Sequence, residues 1–165
     1  MNKSRYIKLY NWFENHKGAK KLLETAYKFL PFVFILALPV ILIIKGLQGI
    51  DREFVSLLVV LPCVFLGITV MRRLIKRERP YIKYNAPSVI PKNSKSYSFP
   101  SRHTASAFII AMGGYTVCLY FGIFLTVLAL ILAVTRILAG VHYISDIVFA
   151  IFFSVLFGAV FFFII

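Results

Sequence analysis

Three short polar segments in an otherwise apolar sequence carry residues that could do chemistry on a phosphate group. The first is RRLIKRERP, residues 72–80, in which Arg72 and Arg79 are seven positions apart. That spacing predicts that both lie on one stripe of a helix, with Lys76 between them, and that Pro80 ends the segment. Taken alone, the run is also typical of a basic anchor beside a membrane span.

The second segment, Pro100-Ser101-Arg102-His103, stands at the start of an uncharged run, residues 104–135. Proline followed by serine predicts a helix N-terminus, where free N–H groups and the positive end of the dipole favour an anion. The guanidinium of Arg102 matches the geometry of phosphate oxygens. A simple helix cap beside an interfacial charge is the alternative.

The third segment is TRILAGVHYISD, residues 135–146. Arg136 lies deep in an apolar run, where a charge is unfavourable unless it faces partners. Gly140 is expected to end that helix in a left-handed cap, so that His142 and Asp146 share a face at the start of the next helix. A carboxylate can hold the imidazole in one tautomer there, although a purely structural His–Asp pair is the alternative.

Membrane-spanning helices must position these segments, because 60% of the 165 residues are hydrophobic and the mean hydropathy is +0.84. A water-soluble domain could hardly bury that much apolar surface. We expect an all-α bundle of about five spans. The spans are residues 26–44, residues 54–71, two within residues 101–140 with a turn near Tyr120 and Gly122, and residues 147–165. Pro31 and Pro39 predict a kink in the first span rather than a break.

Two further regions are expected outside the spans. In residues 1–25, which precede a membrane domain of residues 26–165, the side chains of Tyr6, Leu9, Tyr10 and Phe13 share one helical face. They predict an amphipathic surface helix ending at Gly18, or a helix that binds a protein partner. Residues 81–100 show no apolar period and are expected to form a loop.

The remaining apolar sequence gives two negative expectations. Cys63 and Cys118 lie inside apolar runs, and we expect them to pack between helices rather than form a disulfide or metal site. No signal peptide is expected, because the first apolar run begins only at Phe29, after a basic lead.

With five spans, the ends near Met71, His103, Ala139 and His142 emerge on one side of the membrane, so the three polar segments can meet. Arginines that meet with so little acid nearby need an anion, and phosphate is the natural candidate. Two histidines then offer attack at phosphorus and protonation of the leaving oxygen.

The net charge is +13, and 17 of the 19 Lys and Arg residues lie on the side of the three segments. The positive-inside rule therefore predicts a site that faces the cytoplasm. Such a basic rim around apolar spans fits phosphate-bearing lipid better than nucleic acid.

In order and spacing, these segments resemble the type 2 phosphatidic acid phosphatase (PAP2) superfamily. Its pattern is a lysine six residues before Arg-Pro, then Pro-Ser-x-His, then Ser-Arg followed by His and Asp. The sequence departs from it with Arg72 in place of lysine and Thr135 in place of serine. The family core typically has six spans, and here the surface helix stands in place of the first.

The resemblance implies a role for each matching residue, with no metal or other cofactor. His142 would be the nucleophile that forms a phosphohistidine, Asp146 would orient it, and His103 would be the general acid. The phosphoryl oxygens would be held by Arg72, Arg79, Ser101, Arg102 and Arg136.

The implied function is a multi-pass phosphatase of the cell membrane that hydrolyses a lipid-linked phosphate monoester or diphosphate. Phosphatidate, phosphatidylglycerol phosphate and polyprenyl (undecaprenyl) diphosphate are candidate substrates. A lipid phosphotransferase with an acceptor other than water and a non-catalytic anionic-lipid binder remain alternatives. Vanadate-dependent haloperoxidases share the style of anion site, but their soluble scaffold does not suit five apolar spans. Many bacterial relatives that recycle lipid carriers face outward, so the opposite orientation also stays open.

Overall fold

The computed structural model describes residues 2–92 and 97–164, and in these residues the chain is helical, with no β-strand. The helices are, in order, α1 (Lys3–Asn15), α2 (Lys17–Gln48), α3 (Arg52–Ile75), α4 (Pro80–Lys83), α5 (Arg102–Val117), α6 (Leu119–Leu138) and α7 (Ile144–Ala159), followed by a π-helical segment (Val160–Ile164). The prediction of an all-α membrane bundle is confirmed.

Within the described residues, four helical segments are long and apolar enough to cross a membrane: α2, α3, α6, and α7 with its π-helical continuation. The predicted third span, α5, has only 16 residues, which is about 24 Å at 1.5 Å per residue. It contacts α2, α3, α6 and α7, and most of its residues are buried. The shortest helix of the bundle is therefore the central one, and the four longer helices surround it.

Side chains on the outer surface of the bundle are mostly large and apolar. Leu36 and Phe152, for example, are 67% and 63% exposed, as expected where the solvent is lipid. Cys63 and Cys118 are free and exposed on the same surface. The prediction that they pack between helices is wrong. Cys63 lies on a side of α3 that faces away from the bundle, and Cys118 lies outside the helices, in the connection between α5 and α6.

The connection between α5 and α6 is tighter than expected. It consists of Cys118 in an extended conformation, so the prediction of a turn near Tyr120 and Gly122 is wrong by a few residues. Gly122 lies inside α6, and a Cβ there would come 2.3 Å from Cγ of Tyr115. This glycine is needed for the close approach of two helices and not for a turn.

The N-terminal region forms two helices. The predicted amphipathic helix is present as α1, but it ends at Asn15, and Gly18 lies in the first turn of α2, so the prediction that Gly18 ends it is wrong. The second helix, α2, continues unbroken through Pro31 and Pro39. The proposed division between residues 25 and 26 falls inside α2, and an N-terminal unit of residues 1–25 stays a prediction.

The apolar face of α1 contacts the loops at one end of the bundle. The hydroxyl of Tyr6 donates to the carbonyl oxygens of Pro87 and Gly140, at 3.1 and 3.3 Å. Phe13 is buried in a cluster that includes Val89 and Val141. The helix therefore holds the loop after α4 and the α6–α7 connection in place. Of the loop predicted at residues 81–100, the first residues belong to α4, and residues 93–96 lie outside the described part of the chain.

Candidate active site

The basic segment RRLIKRERP does not form one helix. α3 ends at Ile75 because Lys76 adopts the left-handed conformation, with φ of 49°. Arg72 therefore lies in the last turn of α3, whereas Arg79 is the N-cap of α4. The predictions that Arg72 and Arg79 share a helical stripe and that Pro80 ends the segment are wrong, since Pro80 begins α4. Both arginines are nevertheless buried, with exposures of 6% and 4%.

Arg72 fixes the loop that leads to α5. Its Nη1 donates to the carbonyl oxygens of Pro100 and Ser98, at 2.7 and 3.2 Å, and its Nη2 donates to that of Tyr97. A guanidinium carries five N–H donors, so within the described residues two of them remain for another acceptor. The arginine at this position therefore has a structural task that a lysine, with its compact ammonium, could not perform in the same geometry.

The segment Pro100–His103 forms the predicted helix N-terminus. Ser101 is the N-cap of α5 and is fully buried, and its backbone N–H donates to the carbonyl oxygen of Asp146 at 3.2 Å. Arg102 and His103 follow in the first turn, whose N–H groups have no acceptor within the helix. The imidazole of His103 is exposed, at the edge of the site.

His103 and Arg102 also form the polar end of a cavity of about 280 Å³. Its other walls are largely apolar and include Phe34 of α2, Phe65 of α3 and Leu132 of α6. The cavity is therefore an apolar recess that opens beside a helix N-terminus and a cation, which suits a molecule with an anionic head and an apolar tail.

The third segment contains the predicted left-handed turn. α6 ends at Leu138, and Gly140 has a φ of 74°, which confirms the expected reversal of the chain. α7 begins only at Ile144, so His142 precedes the helix and the prediction that it lies on the first turn is wrong. Asp146 does lie on that turn.

The distance between His142 and Asp146 is short but not that of a strong hydrogen bond. Nδ1 of His142 lies 3.4 Å from Oδ2 of Asp146, and among the described residues this nitrogen has no partner of good hydrogen-bond geometry. Oδ2 accepts the backbone N–H of Tyr143 at 2.9 Å instead. Catalytic hydrogen bonds are often long before substrate binds. A distance of 3.4 Å is therefore compatible with a hydrogen bond between His142 and Asp146 that shortens when substrate binds.

Arg136 faces partners inside the protein, as its position in an apolar run predicted. It is 1% exposed, its Nη2 donates to the carbonyl oxygen of Tyr27 at 3.0 Å, and its guanidinium carbon lies 3.8 Å from the centroid of the Tyr27 ring. Its Nε has no partner among the described residues. Its neighbour Thr135 donates to the carbonyl oxygen of Leu132 at 2.6 Å, within the same helix.

These contacts join the three segments at one end of the bundle. Arg79 donates to the carbonyl oxygen of Val141 at 3.3 Å, and Nη1 of Arg77 lies 2.8 Å from Oδ1 of Asp146. His103 is within electrostatic reach of His142 and Arg136. Sequence reasoning missed Arg77, which is one of five basic residues in the run RRLIKRERP, and Tyr27, for which no motif gives a signal.

The surroundings of His142 favour its neutral form. Burial lowers the pKa of this imidazole to about 4; Asp146 raises it, and Arg79 and Arg72 lower it further. A neutral imidazole keeps a lone pair that can attack an electrophile. Burial also raises the pKa of the adjacent Tyr143 to about 12, so that its hydroxyl is protonated at neutral pH. The site is therefore rich in fixed positive charge and holds an uncharged candidate nucleophile.

The fold and the site define a multi-pass membrane protein. At one end of its bundle, basic side chains and the N-terminus of α5 border an apolar cavity. The model of the PAP2 superfamily matches residues 29–165, and the chain belongs to this superfamily. Its fold is similar to that of a solved structure, a transmembrane PAP2 type phosphatidylglycerolphosphate phosphatase from Bacillus subtilis. The TM-score is 0.57 and the identity 21%, with 96% of this chain and 89% of that chain covered. No curated protein gives a significant match to the sequence. Family and fold together fit a membrane phosphatase.

The contacts of Arg72 predict that lysine cannot replace it without loss. In an Arg72→Lys variant the three carbonyl oxygens of residues 97, 98 and 100 cannot all be reached by one ammonium, and hydrogen bonds to a charged group contribute about 1.5–3 kcal/mol each. We expect the midpoint of thermal unfolding in detergent to fall by several degrees. Arg73→Lys is the matched control, because Arg73 is exposed in the same turn. An unchanged midpoint for Arg72→Lys would contradict the structural role.

The low pKa of His142 predicts that this residue stays neutral at pH values where an ordinary histidine becomes protonated. With ¹⁵N-histidine labelling in detergent micelles, the ring signals of His142 should stay constant from pH 8 to about 5.5, because an unperturbed histidine titrates near 6.5 and this one near 4. His142→Gln assigns the signals. Since the unfolded chain binds this proton more tightly, the stabilising contribution of neutral His142 is fully present above about pH 6.5 and is lost as the pH falls towards 4. A titration midpoint near pH 6.5 for the His142 ring signals in the folded protein would contradict the lowered pKa.

Proposed function

We propose that this protein is a lipid phosphate phosphatase that hydrolyses a lipid-linked phosphate monoester or diphosphate through a phosphohistidine. The observation that carries the proposal is the neighbourhood of His142. The buried imidazole of His142 lies beside one buried carboxylate, that of Asp146, and within electrostatic reach of the buried Arg79 and Arg72. Among the residues that the structure describes, Asp146 is the one buried acidic side chain. Membership of the PAP2 superfamily supports the same reaction class.

In the proposed first step, Nε2 of His142 attacks phosphorus. The N–P bond forms while the bond between phosphorus and the ester oxygen breaks, and the departing oxygen takes a proton from the imidazolium of His103. Asp146 stabilises the positive charge that develops on His142. Because His103 is exposed at the edge of the site, it can recover its proton from water.

In the second step a water molecule attacks the phosphohistidine. His103, now neutral, accepts a proton from this water, the N–P bond breaks, and inorganic phosphate leaves with His142 restored. The phosphoryl oxygens are held by guanidinium groups and by the N-terminus of α5, through the residues Arg72, Arg79, Ser101, Arg102 and Arg136. Fixed positive groups of this kind stabilise transition-state charge, and we propose that no metal or other cofactor is required.

The cavity beside Arg102 and His103 supports a lipid as the substrate. Its apolar walls are formed by membrane helices, so an acyl or prenyl tail can remain in hydrocarbon while the phosphate reaches the cations. The similar structure is described as a phosphatidylglycerolphosphate phosphatase, which makes this lipid one candidate substrate. Phosphatidate and polyprenyl phosphates share the required chemistry.

Phosphate release from purified lipids tests the proposal. We expect release from at least one of phosphatidate, phosphatidylglycerol phosphate, a prenyl phosphate and a prenyl diphosphate, unchanged by EDTA. His142→Ala should abolish turnover, since nothing replaces the nucleophile. The matched control is His16→Ala, because His16 is exposed between α1 and α2 and should keep full activity. Full activity of His142→Ala would exclude His142 as the nucleophile. Phosphate release only in the presence of an added acceptor would indicate a transferase. Lipid binding without phosphate release would indicate a non-catalytic lipid-binding protein.

We also propose that the site faces the cytoplasm of a cell membrane. Of the 18 Lys and Arg residues that the structure describes, which are all but Lys95, only Lys45 and Arg52 lie at the opposite end of the bundle. Lys45 is paired there with Asp51 and Glu53, at 3.3 and 2.7 Å. The positive-inside rule then sets the orientation. In sealed membrane vesicles, substrate added outside should be hydrolysed in inverted vesicles and spared in right-side-out ones. The reverse result would refute the orientation without affecting the reaction.

A further inference from the structure

Arg77, in the linker between α3 and α4, binds the carboxylate beside His142, although the sequence motifs assign it no role. Its Nη1 lies 2.8 Å from Oδ1 of Asp146 and 2.8 Å from Oγ of Ser145. The side chain of Arg77 is 37% exposed, whereas that of Asp146 is fully buried. An arginine at the edge of the site therefore reaches inward to the buried carboxylate.

The two oxygens of Asp146 are used differently. Oδ1 accepts from Arg77, while Oδ2 accepts the N–H of Tyr143 at 2.9 Å and lies 3.4 Å from Nδ1 of His142. Rotation about the Cβ–Cγ bond would exchange these oxygens and break both hydrogen bonds. These two hydrogen bonds thus hold the carboxylate in the orientation in which Oδ2 is the oxygen nearer to Nδ1 of His142.

Arg77 is itself held by contacts with the third polar segment and with the loop that precedes α5. Its guanidinium carbon lies 4.0 Å from the centroid of the Tyr143 ring, a favourable cation–π geometry. Its backbone carbonyl accepts the N–H of Ser98 at 2.8 Å. The left-handed residue Lys76, which ends α3, directs the linker towards this position. A mobile surface arginine would lack these restraints.

We propose that Arg77 is a positioning residue that acts on the reaction through Asp146. This inference rests on the proposed phosphatase function and adds the residue that aligns its nucleophile. By fixing the carboxylate, Arg77 keeps the proton of neutral His142 on Nδ1 and leaves the lone pair of Nε2 directed at phosphorus. The precedent is the histidine that binds a metal, whose hydrogen-bond partners fix its tautomer and ring orientation and typically contribute 10- to 100-fold to affinity or activity.

Kinetics of Arg77 variants test this role. We expect Arg77→Gln to lower kcat about 10- to 100-fold, the size found for outer partners of metal-binding histidines, and to leave KM nearly unchanged, because Arg77 does not touch the phosphate. Arg77→Lys should recover part of kcat, since lysine retains the positive charge but not the planar, two-pronged guanidinium. This variant also provides the test if Arg77→Gln fails to fold. The matched control is Arg73→Gln, on an exposed residue of the same basic run, which should retain the wild-type kcat.

A double-mutant cycle separates action through Asp146 from general destabilisation. In an Asp146→Asn background, replacing Arg77 by Gln should produce little further loss, because the group on which Arg77 acts is already altered. Full additivity of the two losses would overturn the proposal, and so would a wild-type kcat for Arg77→Gln in an enzyme that His142→Ala inactivates. In both cases the phosphatase function itself would stand.

The tautomer of His142 gives a readout that does not depend on turnover. In ¹⁵N spectra at pH 7, the wild type should show a single tautomer with the proton on Nδ1, and Arg77→Gln should show a mixture of both. If the wild type released no phosphate from any lipid, the proposed function would fail, while this spectrum would still decide whether Arg77 orders the pair. An unchanged tautomer in Arg77→Gln would overturn the inference.

Discussion

The site end of this bundle depends on one buried carboxylate. Of the six acidic residues, all of which are described, only Asp146 is fully removed from solvent, and its atoms accept hydrogen bonds from three directions. The carboxylate accepts from Arg77 of the α3–α4 linker and from the N–H of Tyr143 in the α6–α7 connection, while the backbone carbonyl oxygen of Asp146 accepts the N–H of Ser101 at the start of α5. A buried charge left without partners would destabilise the fold by about 3–5 kcal/mol. The linker and the α6–α7 connection are therefore held together by the same group that proposed catalysis requires.

Positive charge around that carboxylate exceeds what it can neutralise. Arg72, Arg79 and Arg136 are buried as well, and each donates to at least one backbone carbonyl oxygen, while the guanidinium of Arg136 also stacks on the ring of Tyr27. Carbonyl dipoles satisfy N–H donors but leave the net charge in place. Under the proposed function this charge attracts the phosphate, in a region where the low dielectric strengthens the attraction.

Local signals in the sequence were sufficient for the spans, the serine cap of α5 and the left-handed turn at Gly140, because hydropathy, capping and positive φ are properties of a few neighbouring residues. Contacts between distant segments were not predictable in this way. Nothing in RRLIKRERP distinguishes Arg77, which binds Asp146, from exposed Arg73. The left-handed turn between Arg72 and Arg79 was equally hidden, because it is made by Lys76 and not by a glycine, the residue that usually indicates such a turn. The errors at Cys63 and Cys118 have another cause, since hydropathy alone shows neither which side of a helix faces the bundle nor which residue of an apolar run forms the connection between two helices.

The N-terminus of the central helix α5 lies inside the bundle. Ser101, which caps this helix, is fully buried, and α5 contacts four other helices of the bundle. Three of these helices contribute Phe34, Phe65 and Leu132 to the cavity that adjoins Arg102 and His103. A phosphate bound at this N-terminus would lie close to the hydrocarbon boundary, which is where the phosphate of a membrane lipid already resides. Under the proposed function, the apolar walls of the cavity would hold the lipid tail while its phosphate meets Arg102 and His103, so that the lipid need not leave the bilayer to be hydrolysed.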